Sequence, residues 1–77
     1  MEKIRVDKTL DIKGINSPRL QELTVHTMES MNSGQVLRVI TDDASTRTII
    51  PTLCNKCGYM LVETEEYDGA LYYTIRK

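Results

Sequence analysis

The chain has 77 residues, of which 40% are hydrophobic and 27% charged, and its formal net charge at pH 7 is −1. A chain of this length supports one hydrophobic core, so we expect a single domain over residues 1–77, and the composition excludes a disordered chain. A net charge near zero provides no broad field for binding nucleic acid or an anionic membrane, and no apolar run reaches the roughly 18 residues of a membrane span.

Two further features favour a cytoplasmic protein. The first residues, MEKIRVDK, lack the apolar core of a secretion signal. The cysteines, Cys54 and Cys57, lie three positions apart and form no disulfide framework for a small secreted domain. A reducing compartment is therefore expected.

The first predicted elements are a strand and a helix. Alternate apolar positions predict a strand over about residues 3–12, which ends at Gly14. From Pro18 the apolar spacing changes to that of an α-helix, and the sequence NSG at 32–34 supplies its end. The apolar stripe of this helix consists of Leu20, Leu23, Thr24, Thr27, Met28 and Met31.

A second strand and a second helix follow. The stretch VLRVIT at 36–41 is β-branched and almost continuously apolar, which is typical of an interior strand. Helical spacing resumes within residues 47–57, and Gly58 is a natural C-terminal cap. Because proline lacks an N–H, either the helix begins near Ile50 with Pro51 in its first turn, or an earlier turn is distorted.

The last segment predicts a hairpin, with strands over residues 59–66 and 70–77 joined by a tight turn at Asp68-Gly69. The order β-α-β-α-β-β predicts an α+β fold, a two-layer sandwich with both helices on one face of a four-stranded sheet. The other face is expected to be partly wet, or to be an oligomer face, and to carry Arg38, Thr64, Glu66, Tyr72, Thr74 and Arg76.

Ser17 precedes a proline at the point where the first helical pattern begins. Its hydroxyl suits a helix N-cap, where it would accept a hydrogen bond from an unpaired backbone N–H. A catalytic serine would need a general base, and the single histidine, His26, would lie about 13 Å farther along the same helix. A serine hydrolase is therefore excluded.

Several short motifs follow one another along the chain. They are Leu10-Asp11-Ile12-Lys13-Gly14, Ser17-Pro18-Arg19-Leu20, the segment 31–39 with Asp42-Asp43, Ile50-Pro51 with Cys54, and Ile75-Arg76-Lys77. From Thr9 to Lys77 their order and spacing resemble the TusA/SirA family of small sulfur carriers, whose members share LDxxGxxCPxP, MxxGxxLxVxxDD and IPxxC motifs. The resemblance implies a mixed four-stranded sheet and protein partners in a sulfur-transfer pathway.

The chain departs from this family pattern at its most important position. Family members have a cysteine where this chain has Ser17, and that cysteine accepts sulfur as a persulfide; Leu20 also replaces the second proline of the motif. A helix N-terminus lowers the pKa of a thiol and so favours the thiolate nucleophile, whereas a hydroxyl is too weakly acidic to respond in the same way. The resemblance therefore implies loss of the carrier step at this position.

Cys54 and Cys57 are the alternative candidates for sulfur or redox chemistry. Both lie on the apolar stripe of the second helix, which favours packing in the core. Cys57 precedes Gly58 near the helix C-terminus, where the dipole disfavours a thiolate. Core packing, a secondary sulfur or redox role, and metal binding therefore stay open, in that order.

A metal site, an acid–base pair and an enzymatic activity are not predicted. Zinc needs four ligands, and one chain offers the two thiols, His26 and carboxylates without a second cysteine pair. His26 is expected to be a partly exposed helix residue. Asp42-Asp43 is interpreted as a turn and cap element, because no neighbour is expected to separate the two pKa values. No metal and no cofactor are expected.

The leading hypothesis is a TusA/SirA-like protein that binds a protein partner through the loop Ile15–Arg19, with Ser17, Pro18 and Arg19 as the contact residues. Ser17 and Arg19 would contact an anionic group at the helix N-terminus. One rival is an active sulfur-transfer protein that uses Cys54, with or without Cys57. Another is a structural or regulatory homodimer formed through the edge strand or the open sheet face, so both a monomer and a homodimer remain possible.

Overall fold

The elements appear in the predicted order in a computed structural model that describes residues 4–77. They are β1 (Lys8–Asp11), α1 (Arg19–Glu29), β2 (Val36–Thr41), α2 (Thr46–Cys57), β3 (Met60–Tyr67) and β4 (Ala70–Arg76). The strands form one sheet in the order β1-β2-β4-β3, in which β1 is parallel to β2 and the other pairs are antiparallel. The predicted α+β fold with a mixed four-stranded sheet is confirmed.

β1 is shorter than the strand predicted over residues 3–12, whose first residue lies outside the described range. Its pairing with β2 is extended at either end by hydrogen bonds from the N–H of Asp7 and from the N–H of Ile12. Ile4 is 36% exposed, so the apolar alternation continues beyond the residues that the sheet buries. A strand needs a paired neighbour as well as the right periodicity.

α2 begins at Thr46, which rules out the alternative start near Ile50 and agrees with the alternative in which an earlier turn precedes Pro51. Pro51 therefore lies inside the helix, after its first turn, and is exposed. The helix ends as predicted, because Gly58 adopts a left-handed conformation with φ 77° and the N–H of Tyr59 donates to the carbonyl of Cys54 at 2.8 Å.

The hairpin forms at Asp68 and Gly69, which have φ values of 52° and 80°. Both central residues of a type I′ turn require positive φ, which explains the Asp-Gly sequence. β3 also contains an irregularity: Leu61 pairs with Ile75, but Glu63 pairs with Thr74, so one extra residue is accommodated between them.

This bulge corrects the composition predicted for the open sheet face. After one inserted residue, every later side chain of β3 lies on the opposite face from the one that uninterrupted alternation predicts. Thr64 therefore pairs with Tyr73 and Glu66 with Leu71, on the side of the helices. Glu66 accordingly forms an ion pair with Arg47 of α2.

The core lies between the sheet and the two helices. β2 and β4 contribute the most deeply buried strand residues, and both helices add side chains to the same cluster, so the helices cover the same face as predicted. The cluster consists of Ile12, Leu20, Met28, Met31, Leu37, Val39, Ile50, Cys54, Leu71, Tyr73 and Ile75.

Candidate functional site

Two loops meet at the carboxyl ends of the parallel strands β1 and β2. We call residues 12–18, which connect β1 to α1, the Ser17 loop. The backbone N–H of Gly14 in this loop donates to Oδ1 of Asp42, which follows β2, at 3.0 Å. Parallel neighbouring strands end at the same edge of a sheet, so the topology itself brings the two loops together.

Ser17 does not cap α1, contrary to the sequence prediction. The cap position is occupied by Pro18, and no side chain forms a capping hydrogen bond there. The Ser17 hydroxyl instead accepts a hydrogen bond from Nε2 of Gln21 at 2.8 Å. The predicted position was one residue too early, because the helix begins at Arg19. The Ser17–Pro18 peptide bond is cis.

No general base bonds to the Ser17 hydroxyl in the described part of the chain, and the nearby Asp43 carboxylate accepts from the Ser17 backbone N–H instead. Within residues 4–77, Gln21 is the one side chain that bonds to the Ser17 hydroxyl, and an amide neither removes a proton nor donates an acidic one. His26 is exposed on α1, five residues or about one and a half turns beyond Gln21. The serine is therefore held in place but not activated.

Asp43 lies next to the Ser17 loop and has its own hydrogen-bond partners. Its carboxylate accepts from the backbone N–H of Ser45 at 2.9 Å and from the Ser45 hydroxyl at 2.7 Å. These bonds lower the pKa of Asp43 below its ordinary value, with a smaller contribution from the backbone N–H of Ser17. The expectation that nothing perturbs the pair Asp42-Asp43 was therefore wrong, although the predicted role in a turn agrees with these bonds.

The Ser17 loop is anchored on one side and accessible on the other. Leu20, in the first turn of α1, is completely buried in the core, and Ile15 packs against that core. Pro18 and Arg19 are exposed, and Ser17 is half-buried. Pro18 and Arg19 are therefore accessible to solvent, while the neighbouring residues Ile15 and Leu20 hold the loop against the core.

The two cysteines differ in exposure. Cys54 is 2% exposed, and burial raises its pKa to about 11, with a further contribution from Cys57. Cys57 is exposed, which corrects the prediction that both cysteines pack in the core. Its position around the helix axis is close to that of the buried stripe, but at the last residue of α2 the side chain is exposed.

The cysteines also lie far from the Ser17 loop. α2 begins beside Asp43, near Ser17, and Cys57 is the twelfth residue of that helix. A rise of about 1.5 Å per residue places Cys57 about 16 Å along the axis from Thr46. The structure therefore does not bring Cys54 or Cys57 together with Ser17, Pro18 and Arg19.

Other arrangements of functional groups are limited. Among residues 4–77 there is no group of three or more His, Cys, Asp or Glu side chains arranged to hold a metal ion. His26 lines an open groove between the two helices together with Leu23 and Leu53. In the described part of the chain, no helix has the length and apolar character needed to cross a membrane.

The sequence analysis did not predict two hydrogen bonds of the Ser17 loop, those that it forms with Gln21 and with Asp42. Gln21 could have been found from its spacing, because residues four apart face each other on a helix and its first turn. The bond between Asp42 and Gly14 joins residues 28 positions apart, and no local pattern indicates it.

These features define a small two-layer α+β protein whose accessible element is the loop that leads into its first helix. Residues 8–77 match the family "Sulfurtransferase TusA". The chain belongs to this family, and the resemblance seen in its motifs is confirmed.

Similar proteins carry names of the same kind. The chain is 37% identical over 71 residues to the "Sulfur carrier protein TusA" of Pseudomonas putida (strain GB-1), covering 92% of this chain and 89% of that protein. It is 35% identical over 77 residues to a "Putative sulfur carrier protein" of Aquifex aeolicus (strain VF5), and it spans 39% of the length of that relative.

The fold is also similar to a solved structure. The crystal structure of a SirA-like protein from Desulfitobacterium hafniense superposes with a TM-score of 0.73 at 25% sequence identity, covering 90% of this chain and 95% of that one. The mixed sheet with its two helices is therefore the fold of a SirA-like protein.

Proposed function

We propose that this chain is a cytoplasmic, partner-binding member of the TusA family that carries no persulfide at position 17. The observation that supports the proposal most directly is the Ser17 hydroxyl, which is bonded to the Gln21 amide at 2.8 Å in the place of the family's cysteine. The contact surface is the Ser17 loop with Arg19, and its partner is another protein of a sulfur-transfer pathway.

The chemistry of sulfur transfer explains why the serine matters. In this reaction a thiolate attacks the outer sulfur of a donor persulfide, forms a new S–S bond and releases the donor thiolate. Oxygen forms no comparable stable bond to sulfane sulfur, and a serine hydroxyl at neutral pH is not ionised without a base. Gln21 supplies none.

The exposed groups of the loop suggest the chemistry of the partner's surface. Arg19 forms no ion pair within 4.0 Å in the described part of the chain, and it lies at the start of α1, where backbone N–H groups favour anions. The neighbouring carboxylates of Asp42 and Asp43 already accept hydrogen bonds from Gly14 and Ser45. An acidic group on the partner would therefore meet Arg19.

A second candidate function is sulfur transfer through Cys57, and the exposure of this thiol favours it. Cys54 is a poor nucleophile because its pKa of about 11 leaves it protonated at neutral pH. Cys57, at the last residue of α2, lies at the helix end whose dipole opposes a thiolate.

Persulfide labelling tests both candidates. The purified chain is incubated with a cysteine desulfurase and L-cysteine, and intact mass and peptide mapping locate any added sulfur. We expect no sulfur on the wild-type chain and one added sulfur at position 17 in Ser17→Cys, because the helix N-terminus stabilises the new thiolate.

The variants Cys57→Ser and Ser17→Cys/Cys57→Ser are the matched controls. Sulfur on wild-type Cys57 that disappears in Cys57→Ser would establish the second candidate and contradict the first. A Ser17→Cys variant that accepts no sulfur would show that the loop differs from the family's site in more than one atom.

Partner binding is tested with Arg19→Glu. Proteins retained by the wild-type chain are identified, and their affinities for the purified variants are then measured by calorimetry. We expect Arg19→Glu to weaken binding about tenfold or more, since like charges now face each other. Lys56→Glu, an exposed change on α2, is the control; equal affinities of all three chains would refute the proposed surface.

A further inference from the structure

The sheet face opposite the helices carries charged and apolar side chains that have no partner in the chain. We call it the open face and define it by Arg38, Met60, Glu63, Glu65, Tyr72 and Arg76, whose pairings place them on one side of the sheet. Both helices contribute to the core on the other side, and no other described helix or strand covers the open face, although neighbouring side chains leave Thr74, which was expected to be wet, only 1% exposed.

Arg38 lies near the middle of this face and is incompletely bonded. Its Nε atom is buried and has no hydrogen-bond partner, and its guanidinium group forms no ion pair within 4.0 Å with any residue of 4–77. Leaving a buried donor on a charged group unpaired costs free energy. Arg38 as a residue is half-buried, so an anion supplied from outside the chain would pair with the accessible part of the guanidinium group and not with the buried Nε.

The same face carries carboxylates that are also without an ion pair. Glu63 and Glu65 project from β3, and neither lies within 4.0 Å of a cationic group in the described range. The face therefore carries cations and anions that form no ion pair within 4.0 Å among residues 4–77, although Arg38 and Glu65 line the same cavity.

The strand register places these charges symmetrically. Arg38 of β2 pairs with Thr74 of β4, and Thr74 pairs with Glu63 of β3, so the three residues form one row across the sheet. Arg38 and Glu63 are each one strand away from β4, on opposite sides of it.

We propose that the open face binds a second copy of this chain. The two-fold axis runs along β4 and lies between the two facing sheets. Such an axis places Arg38 over the partner subunit's Glu63 and places Glu63 over the partner subunit's Arg38, which is the reciprocal contact of an isologous dimer. The same axis brings Arg76 close to the partner subunit's Arg76. Arg76 lies at the end of β4, at the rim of the interface, where water screens the repulsion between the two charges.

Apolar groups on the open face add to this complementarity. Met60 is 59% exposed and pairs with Arg76, and Tyr67 is 73% exposed and pairs with Ala70, which lies on the same side of β4 as Tyr72 and Arg76. Aromatic residues and methionine are enriched at protein interfaces. A second copy would cover side chains that the single chain leaves in water.

The size of the face determines how tight this dimer can be. The four strands lie about 4.8 Å apart and average about six residues, which gives an area of about 19 by 21 Å, or roughly 400 Å² per copy in projection. A standard stable interface buries about 800 Å² per partner. The dimer is therefore weak and concentration-dependent.

Analytical ultracentrifugation tests the proposal over the range from about 10 µM to about 1 mM, which brackets a weak dimer. We expect the wild-type chain to shift toward the dimer mass as its concentration rises. Arg38→Glu and Glu63→Arg, measured separately, are each expected to weaken association at least tenfold, because the reciprocal contacts become repulsive.

An equimolar mixture of the two variants gives the sharpest result. One chain then carries acidic groups at both positions and the other carries basic groups at both, so both contacts of a mixed dimer are attractive. We expect the mixture to regain association, while Lys56→Glu on α2 associates like the wild type.

A wild-type chain that stays monomeric at about 1 mM overturns the proposal, as does a mixture that associates no better than its components. Circular dichroism checks that each variant is folded. If Arg38→Glu is not folded, Arg38→Gln and Glu63→Arg still test the contact, because each removes the reciprocal pairing. Persulfide labelling of Ser17→Cys does not depend on the open face, so the two proposals can fail separately.

Discussion

The start of α1 and the end of α2 each hold half of what a persulfide site requires. The start of α1 has an accessible loop and a helix dipole that favours an anion, but the nucleophile-type side chain there is the Ser17 hydroxyl, which is bonded to the Gln21 amide. The end of α2 has two sulfur atoms, but one is buried and the dipole there opposes a thiolate. The chain therefore contains both a helix-entry loop and a CxxC motif without forming a persulfide site from them. The loop lies at the start of α1, and the CxxC motif lies at the opposite end of the molecule, at the end of α2.

The largest effect is expected from Leu20→Ala, which removes the anchor of the α1 start and leaves α2 untouched. Leu20 is completely buried, and a leucine-to-alanine change in a core costs about 3 kcal/mol, within a range of about 2 to 5. Urea unfolding followed by circular dichroism measures the free energy. Cys57→Ser, at an exposed position, is the control and should change stability little.

A cost for Leu20→Ala of less than about 1 kcal/mol would contradict this account of the loop. It would show that the Ser17 loop is held chiefly by its hydrogen bonds with Gln21 and Asp42 rather than by the core.

The next effect concerns the reactivity of Cys54. A rise in its pKa from 9.0 to about 11 reduces the thiolate fraction about a hundredfold at neutral pH, so alkylation by iodoacetamide should slow by at least that factor relative to the chain in urea. Because the unfolded chain ionises this thiol first, stability should also fall as the pH rises through 9.0.

Peptide mapping after alkylation separates the two thiols, and Cys57→Ser leaves Cys54 as the single reactive site for the rate measurement. Alkylation of Cys54 in the folded chain at the rate found in urea would show that the end of α2 opens readily. The contrast with the start of α1 would then disappear.

The smallest effect is expected from Asp43→Asn, which weakens the turn beside the Ser17 loop. The folded chain holds the pKa of Asp43 below 3.8, so its contribution to stability is present above that value and is lost as the pH falls through the folded pKa. The melting temperature of the variant should therefore be lower than that of the wild type at pH 7.

The difference in melting temperature between wild type and Asp43→Asn should shrink as the solution is acidified below 3.8. Asp68→Asn, in the exposed hairpin turn, is the matched control. A difference that stays constant with pH would mean that the Asp43 carboxylate is not bonded to Ser45 in solution.

Local patterns predicted most of the fold but only part of the site. The interior strand 36–41 and the Asp68-Gly69 hairpin followed from β-branched runs and turn chemistry, because these signals are contained in a few neighbouring residues. The sequence left the start of α2 open between Ile50 and an earlier turn, because Pro51 is compatible with both, and the structure places Pro51 inside a helix that begins at Thr46.

The exposure of Cys57 shows a second limit. Helical spacing gives the angle of a side chain around the axis, but it does not tell how far along the axis the core extends. Cys54 and Cys57 share a face, and only the former has the core beneath it.

The sequence by itself determined the order of the elements, the family, and the presence of Ser17 before Pro18 at the entry to the first helix, because each of these depends on residue identity and short-range spacing. Only the tertiary structure decided which faces Thr64 and Glu66 occupy, which loops meet beside Ser17, and that Nε of Arg38 is buried without an acceptor among residues 4–77. The physical reason is that strand register, the β3 bulge and contacts between residues far apart in the chain arise from pairing across the sheet, which no local stretch of sequence contains.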